Sequence, residues 1–199
     1  RVPVAFSIAI GALTFFILDD GIPTYIFVQR LISPTLSFPL LAVPFFIMTG
    51  VIMNHAGITK RIMNLADVLV GHMIGGFAQI NILMSTLMGG MSASANADAA
   101  MQSKIVVPEM TKRNYGAGFS ASITACSAII AAIIPPGIAL VLYGFISGTS
   151  IGKLFLAGII PGIFLSLCLM FTVRFMTIRK KYEPSRTHKA TGKEIFTSL

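Results

Sequence analysis

The chain has 199 residues, with 15 Lys and Arg against 7 Asp and Glu, a net charge of +8, yet only 11% of its residues are charged. A soluble domain carries about 25% charged residues, and the mean hydropathy of +0.84 likewise excludes an ordinary soluble protein. The basic residues flank apolar segments and form no nucleic-acid-binding motif, so they are read as topology signals and no nucleic acid partner is expected.

Five stretches contain no Asp, Glu, Lys or Arg: residues 2–18, 31–59, 68–97, 114–152 and 154–173. A hydrocarbon core of about 30 Å takes about 20 apolar residues in helix, so these stretches are of span size or longer. Residues 2–18 predict a first span. A signal peptide is the competing reading, but the segment lacks an A-x-A cleavage site and runs into Asp19 and Asp20. Residues 23–32 predict a short interfacial helix on the opposite side, and 39–55 a second span. Ile58, Ile62, Leu65, Ala66 and Leu69 then share one helical face, with Lys60, Arg61, Asn64 and Asp67 on the other. That pattern predicts a helix lying on the membrane surface.

Charge counting decides the course of residues 73–113. If this segment crosses once, Lys60 and Arg61 end opposite the basic tail, against the positive-inside tendency. If it enters and leaves on one side, Arg1, Lys60, Arg61, Lys112, Arg113 and the seven basic residues from Arg174 to Lys193 all share one face, twelve of the fifteen. The segment therefore reads as a re-entrant helical hairpin. Residues 76–88 form its first helix, 89–100 a tip of small and polar residues, and 101–110 its second helix, with Lys104 and Glu109 unsuited to lipid. Irregular backbone at membrane depth persists only inside protein or beside water.

Two features carry chemistry. At the hairpin tip, the first helix presents carbonyls that attract cations and the second presents N–H groups that attract anions. One tip can thus hold Na⁺ beside an anionic substrate. Ser92, Ser94 and Asn96 supply neutral oxygens; the plainer reading makes Ser94 or Asn96 a helix cap, with Asp98 complementing the dipole. The second feature is Ile134-Pro135-Pro136-Gly137 within a long apolar stretch. Neither proline can donate to the carbonyls of Ala131 and Ala132, so the helix is expected to break there and leave them free for Na⁺. A packed kink is the alternative. Thr124, Ser127 and Thr149 either add oxygens or bond their own helices.

The remaining candidates are structural. Gly158 and Gly162 match the small-xxx-small packing pattern, with Pro161 between them. Cys126 and Cys168 read as small buried residues rather than a disulfide, and His55, His72 and His188 lack metal spacing. Tyr25, Tyr143 and Tyr182 are candidate interface markers. Asp98 has no second intramembrane aspartate, and no G-x-S-x-G elbow is present, so hydrolase chemistry is not expected and the chain is not read as an enzyme.

The run Pro44 to Gly50, Val70-Gly71-His72, the hairpin 89–100, Ile134 to Gly137, and Leu154 to Gly162 together resemble the large membrane subunit of TRAP transporters (tripartite ATP-independent periplasmic transporters). The resemblance covers nearly the whole chain in the family's order. It implies an all-α, polytopic integral membrane fold of the ion transporter superfamily, with a re-entrant hairpin and a Pro-broken helix. This chain would be the first of two inverted repeats of an elevator-type transporter. On that resemblance, residues 1–71 are scaffold spans and a cytoplasmic arm helix, 72–113 the hairpin of the transport domain, and 114–150 its broken helix. Residues 151–181 are the repeat's last transmembrane helix, and 182–199 a cytoplasmic linker to the second repeat.

The resemblance also implies Na⁺-coupled import of an organic acid anion, such as a dicarboxylate or sialic acid, across the bacterial inner membrane, with the basic tail cytoplasmic. A periplasmic binding protein and a small membrane subunit would be partners, and Na⁺ the coupling ion with no organic cofactor. The Na⁺ site would comprise Ser92, Ala93, Ser94, Asn96, Ala132, Pro135 and Gly137; Ser94, Asn96, Asp98 and Pro136 would meet substrate. The family commonly has Gly and Val where this chain has Ala93 and Asn96, so Asn96 brings a side-chain amide to the tip. The alternatives are an ion-coupled carrier of the same superfamily without a binding protein, and a membrane anchor without transport.

Overall fold

The computed structural model describes residues 2–18, 22–92, 94–180, 182–186 and 188. Among these the secondary structure is helical throughout. The helices are α1 (Val4–Leu18), α2 (Tyr25–Ile32), a 3-10 turn (Ser33–Leu36), α3 (Phe38–His55), α4 (Ile58–Val70), α5 (Gly76–Ser92), α6 (Ala95–Lys112), α7 (Ala117–Ile133), α8 (Ile138–Ser147) and α9 (Ile151–Lys180). The chain divides into two compact units, residues 1–42 and 43–199.

In the first unit, α1 is apolar on every face and buries no residue. Its Phe16 meets Phe27 of α2 with ring centroids 5.8 Å apart. The short helix expected over residues 23–32 is α2, and Tyr25 at its start is exposed.

The second unit is built around α5. Its residues Ala78, Gln79, Ile80, Asn81 and Ile82 are all fully buried, which on a helix means enclosure on every side. Helices α4, α6, α7 and α9 supply that enclosure. Ile80, Ile82 and Met84 form a core with Val106 and Met110 of α6, Ile123 and Ile130 of α7 and Val173 of α9. The outer helix α9 behaves differently. Its buried residues Gly158, Gly162, Ser166, Val173 and Thr177 make one seam, while Leu156, Ile160, Phe164, Leu167 and Phe171 are exposed. Such a helix packs on protein along one stripe and presents apolar surface elsewhere, as a membrane helix does. Among the described residues α9 alone is long and apolar enough to cross a membrane unbroken; the bent pairs α3–α4 and α7–α8 raise the number to three if each is one span.

The hairpin forms as expected, with two differences of extent. Helix α5 continues through Gly89 and Gly90 to Ser92, and α6 begins at Ala95, so the non-helical tip is far shorter than 89–100. Alanine is the best helix former, and Ala95, Ala97, Ala99 and Ala100 extend α6 toward the tip. Both feet lie together: the Arg113 guanidinium carbon sits 4.3 Å from the centre of the Phe77 ring. The expected break is also present. Helices α7 and α8 meet at a 44° bend across residues 134–137.

Helix α4 turns 72° from α3. Of its predicted apolar stripe, Ala66 is buried and Ile62 packs against the core, Leu69 is exposed, and Lys60, Arg61 and Asn64 on the polar side are exposed. Thr59, Val68 and Val70 are buried as well, where α5 and the returning tail set the packing face. One expectation is corrected. Cys126 and Cys168 are free and exposed, not buried; they lie on the outward sides of α7 and α9. Thr124 and Ser127 bond Asn81 of α5, and Ser127 also bonds its own helix at the Thr124 carbonyl.

Candidate functional site

The hairpin tip meets the break in α7–α8. A methyl group built on Gly89 would lie 3.0 Å from Cβ of Ile134 and 3.2 Å from Cα of Ala131, and one on Gly90 would lie 3.7 Å from the Pro135 carbonyl oxygen. From the other side, α9 approaches the same segment. A methyl on Gly158 would lie 2.7 Å from the Ile133 carbonyl oxygen, and one on Gly162 2.5 Å from Ile134 Cγ1. The broken backbone is thus held between two pairs of glycines. Gly137 is constrained as well, since a Cβ there would fall 2.6 Å from the carbonyl of Ala132. Gly89 and Gly162 make room for the Ile134 side chain, while Gly90, Gly137 and Gly158 face the carbonyls of Pro135, Ala132 and Ile133.

The predicted residues fall into three groups. Ser92 ends α5 and Ser94 caps α6, its Oγ accepting the Ala97 N–H at 3.4 Å. Ala93 lies outside the described residues. Asn96 is exposed in the first turn of α6. Ala132 stands in the last turn of α7, and Pro135, Pro136 and Gly137 form the break itself. Ser94 and Asp98 also line a cavity of about 450 Å³ that includes Gly50, Asn54 and His55 of α3, Met88 and Met91 of α5, and Ile138 of α8. The tip, the start of α6 and the start of α8 therefore share one space.

Asp98 is more than a dipole partner. It is fully buried; its Oδ2 accepts from Ser85 Oγ at 2.6 Å and from Gln102 Nε2 at 2.8 Å, and Gln102 also donates to Ser85. This cluster ties the two hairpin helices together below the tip. Its Oδ1 has no hydrogen-bond partner among the described residues.

A second polar layer lies deeper; Thr124 and Ser127 were singled out from the sequence, but their α5 partner and its neighbours were not. Asn81 Nδ2 donates to Thr124 Oγ1 at 2.9 Å, and Ser127 Oγ donates to Asn81 Oδ1 at 2.7 Å, joining α5 to α7. Gln79 Nε2 donates to the Met170 carbonyl at 2.9 Å, joining α5 to α9. Thr86 donates to its own helix at Ile82 and meets Ser166 Oγ at 2.8 Å, which makes Ser166 the donor of that bond. The available signal was four polar residues, Gln79, Asn81, Ser85 and Thr86, inside an otherwise apolar run. Buried polar groups require partners, and so many in one span require a protein surround.

Comparison with known proteins settles the family. Residues 1–197 match the family model described as "Tripartite ATP-independent periplasmic transporter, DctM component". The chain belongs to this family. It is 43% identical over 197 residues to the sialic acid TRAP transporter large permease protein SiaM of Vibrio cholerae, covering 99% of this chain and 46% of that protein. It is 42% identical over 198 residues to the sialic acid TRAP transporter permease protein SiaT of Haemophilus influenzae, covering 100% and 32%. It is 40% identical over 198 residues to the 2,3-diketo-L-gulonate TRAP transporter large permease protein YiaN of Escherichia coli, covering 99% and 46%. The chain spans about half the length, or less, of these relatives. Membership in this DctM family makes it part of an integral membrane protein and agrees with the resemblance carried by the hairpin, the break and the α9 glycines.

Proposed function

We propose that this chain is the first inverted repeat of the permease subunit of a Na⁺-coupled secondary transporter. That transporter imports an organic acid anion, such as a dicarboxylate or sialic acid, handed over by a periplasmic binding protein. The small membrane subunit completes the scaffold in the bacterial inner membrane, with the hairpin feet and basic tail facing the cytoplasm. The observation that carries this reading is the convergence of two helix discontinuities, the tip at residues 92–95 and the break at 134–137, in glycine-lined contact. Paired helix ends of this kind expose backbone dipoles of both signs within one site.

In this reading, carbonyls around Ala132, Pro135 and Gly137 and the tip residues Ser92, Ala93, Ser94 and Asn96 hold Na⁺. The N-terminal end of α6, with Ser94, Asn96 and Asp98, and Pro136 across the gap, meets the substrate anion. Na⁺ fixes the tip against the break, and substrate then binds the ordered tip more tightly; the coupling is the difference in affinity between the two states. The hairpin, broken helix and α9 move together past the scaffold, an elevator movement, and the second repeat contributes the other half of the site. Relatives named for sialic acid and for 2,3-diketo-L-gulonate support an organic acid as cargo.

The test is uptake into proteoliposomes by the full-length permease with its small subunit and binding protein. An inward Na⁺ gradient should drive accumulation, K⁺ should not replace it, and S92A/S94A should raise the Na⁺ concentration needed. Uptake indifferent to Na⁺ would remove the coupling. Full uptake without the binding protein would replace this reading with that of an autonomous carrier.

A further inference from the structure

A second cavity, of about 400 Å³, lies at the opposite end of the hairpin, lined by Arg113, Asn114, Tyr115, Lys180, Tyr182 and Glu183. It sits where the foot of α6, the start of α7 and the end of α9 come together. Its two cations are held in place. The Arg113 guanidinium stacks on Phe77 at 4.3 Å and the Lys180 ammonium lies 5.1 Å from the centre of the Phe119 ring. Neither is in an ion pair among the described residues. Rings that anchor two long side chains reduce the entropy a ligand must remove from them.

A third donor faces the same space. The Tyr182 oxygen accepts the Gly116 N–H at 3.4 Å, which leaves its own hydroxyl proton available to a ligand. Asn114 adds an amide. Both cations stand at helix C-termini, at the ends of α6 and α9, where helix dipoles favour them rather than an anion. Recognition here must therefore come from the side chains. The lining carries two cations and the single carboxylate of Glu183, a net charge of +1 that complements one monoanionic phosphodiester.

Depth identifies the source of that phosphodiester. The uncharged run of α9 from Leu154 to Val173 is about 30 Å long at 1.5 Å per residue, the thickness of the hydrocarbon core. The helix continues through Arg174 to Lys180, about 10 Å further, into the headgroup layer. The turns just before the cavity leave Phe171, Phe175 and Ile178 exposed, apolar surface along which acyl chains can lie. Basic pockets between helices at this depth suit lipid headgroups.

We propose that this cleft binds the phosphodiester headgroup of a membrane phospholipid, with Arg113, Lys180 and Tyr182 on the phosphate. The lipid thereby bridges the foot of the hairpin and the end of α9. Glu183, in the same lining, selects the alcohol esterified to the phosphate: an ammonium is attracted, a glycerol tolerated.

The experiment is native mass spectrometry of the full-length permease subunit, released from micelles containing phosphatidylglycerol, phosphatidylethanolamine or phosphatidylcholine, with inorganic phosphate as a separate probe. R113Q and K180Q should each lower phosphatidylglycerol occupancy about tenfold, the effect of losing one charge-assisted contact. K112Q, which alters a neighbouring cation paired with Glu109 and outside the cleft, should leave it unchanged. E183Q should shift preference from phosphatidylethanolamine toward phosphatidylglycerol. Should R113Q not fold, R113K together with K180Q carries the test. Equal occupancy in wild type and K180Q, or an equal loss in K112Q, would overturn the site. Saturation by inorganic phosphate with no added affinity from lipid would overturn the lipid as its source. None of these readouts depends on transport, so failure here and failure of the Na⁺ coupling are separable.

Discussion

The two ends of the hairpin are built on opposite principles. At the tip, small residues let the elements approach closely: Gly89 makes room for the Ile134 side chain and Gly90 faces the Pro135 carbonyl of the 134–137 break. At the feet, large and charged side chains interlock. Tyr115 and Tyr182 stack with centroids 4.2 Å apart, and Ser185 Oγ donates to Asp67 Oδ1 at 2.7 Å. The N–H groups of Ser185 and Arg186 both donate to the Gly71 carbonyl, at 2.8 and 3.0 Å. The feet are fastened by side chains to α4 and the tail, whereas the tip reserves space and exposed backbone. The hairpin thus has a firmly packed base and a close-approach tip, set by large residues around its feet and small ones at the end of α5 and the start of α6.

Changes at the tip should therefore act through space, and the largest effect is expected there. Gly158→Val places atoms against the Ile133 carbonyl, 2.7 Å from the new Cβ, and backbone cannot move aside as a side chain can. A loss of about 3 kcal/mol should appear as a lower unfolding temperature in detergent and reduced yield. Unchanged stability would mean that α9 does not cradle the break.

Next in size is the polar layer between tip and feet. Asn81→Ala leaves Ser127 and Thr124 without their partner at 2.7 and 2.9 Å and should cost about 1–3 kcal/mol. A double-mutant cycle with Ser127→Ala should then be non-additive; strict additivity would break the link between α5 and α7.

At the feet, the expected effects are smaller and more local. Asp67 and Arg186 pair at 3.3 Å with side chains about a third exposed, so Asp67→Asn should cost less than about 1 kcal/mol globally. Amide exchange at Ser185 and Arg186 should nevertheless quicken, because the carboxylate helps hold the tail on Gly71. Exchange identical to wild type would show the backbone bonds to be sufficient.

The smallest effect is confined to high pH. Burial pushes the Tyr115 phenol up to about 12 from its ordinary value of 10. The folded protein thus keeps a proton that the unfolded chain releases. The associated stability is full below pH 10 and is lost as pH rises toward 12. Tyr115→Phe should flatten that decline in denaturation profiles while changing little at pH 7. An undiminished slope would assign it to another group.

Much of this arrangement was legible in residue order. The five uncharged runs set the apolar segments, the charge count pointed to a helical hairpin within residues 73–113, and the Pro135-Pro136 pair marked the break. Each signal is local or additive: hydropathy, charge sidedness and a missing N–H act wherever the residue stands. Gly89, Gly90, Gly158 and Gly162 were visible as small residues, but their common target at residues 131–135 was not, since it depends on three helices meeting. The tip was read as longer than it is because Gly and Ser count against helix locally, whereas packing against the break retains Gly89 and Gly90 in α5. The apolar stripe of α4 was legible at Ile62 and Ala66 but not at Leu69: periodicity identifies a face, but the neighbours of α4 decide which residues it buries. By itself, then, the sequence determined that this is a helical membrane chain folded back once upon a small-residue tip. Only the tertiary structure decided that the tip lies on the proline break, that Asn81 and the Oδ2 of Asp98 meet particular partners, and that the first residues of the basic tail return to fasten the hairpin's base. Those are long-range pairings, fixed by close packing and by the need of buried polar groups for partners.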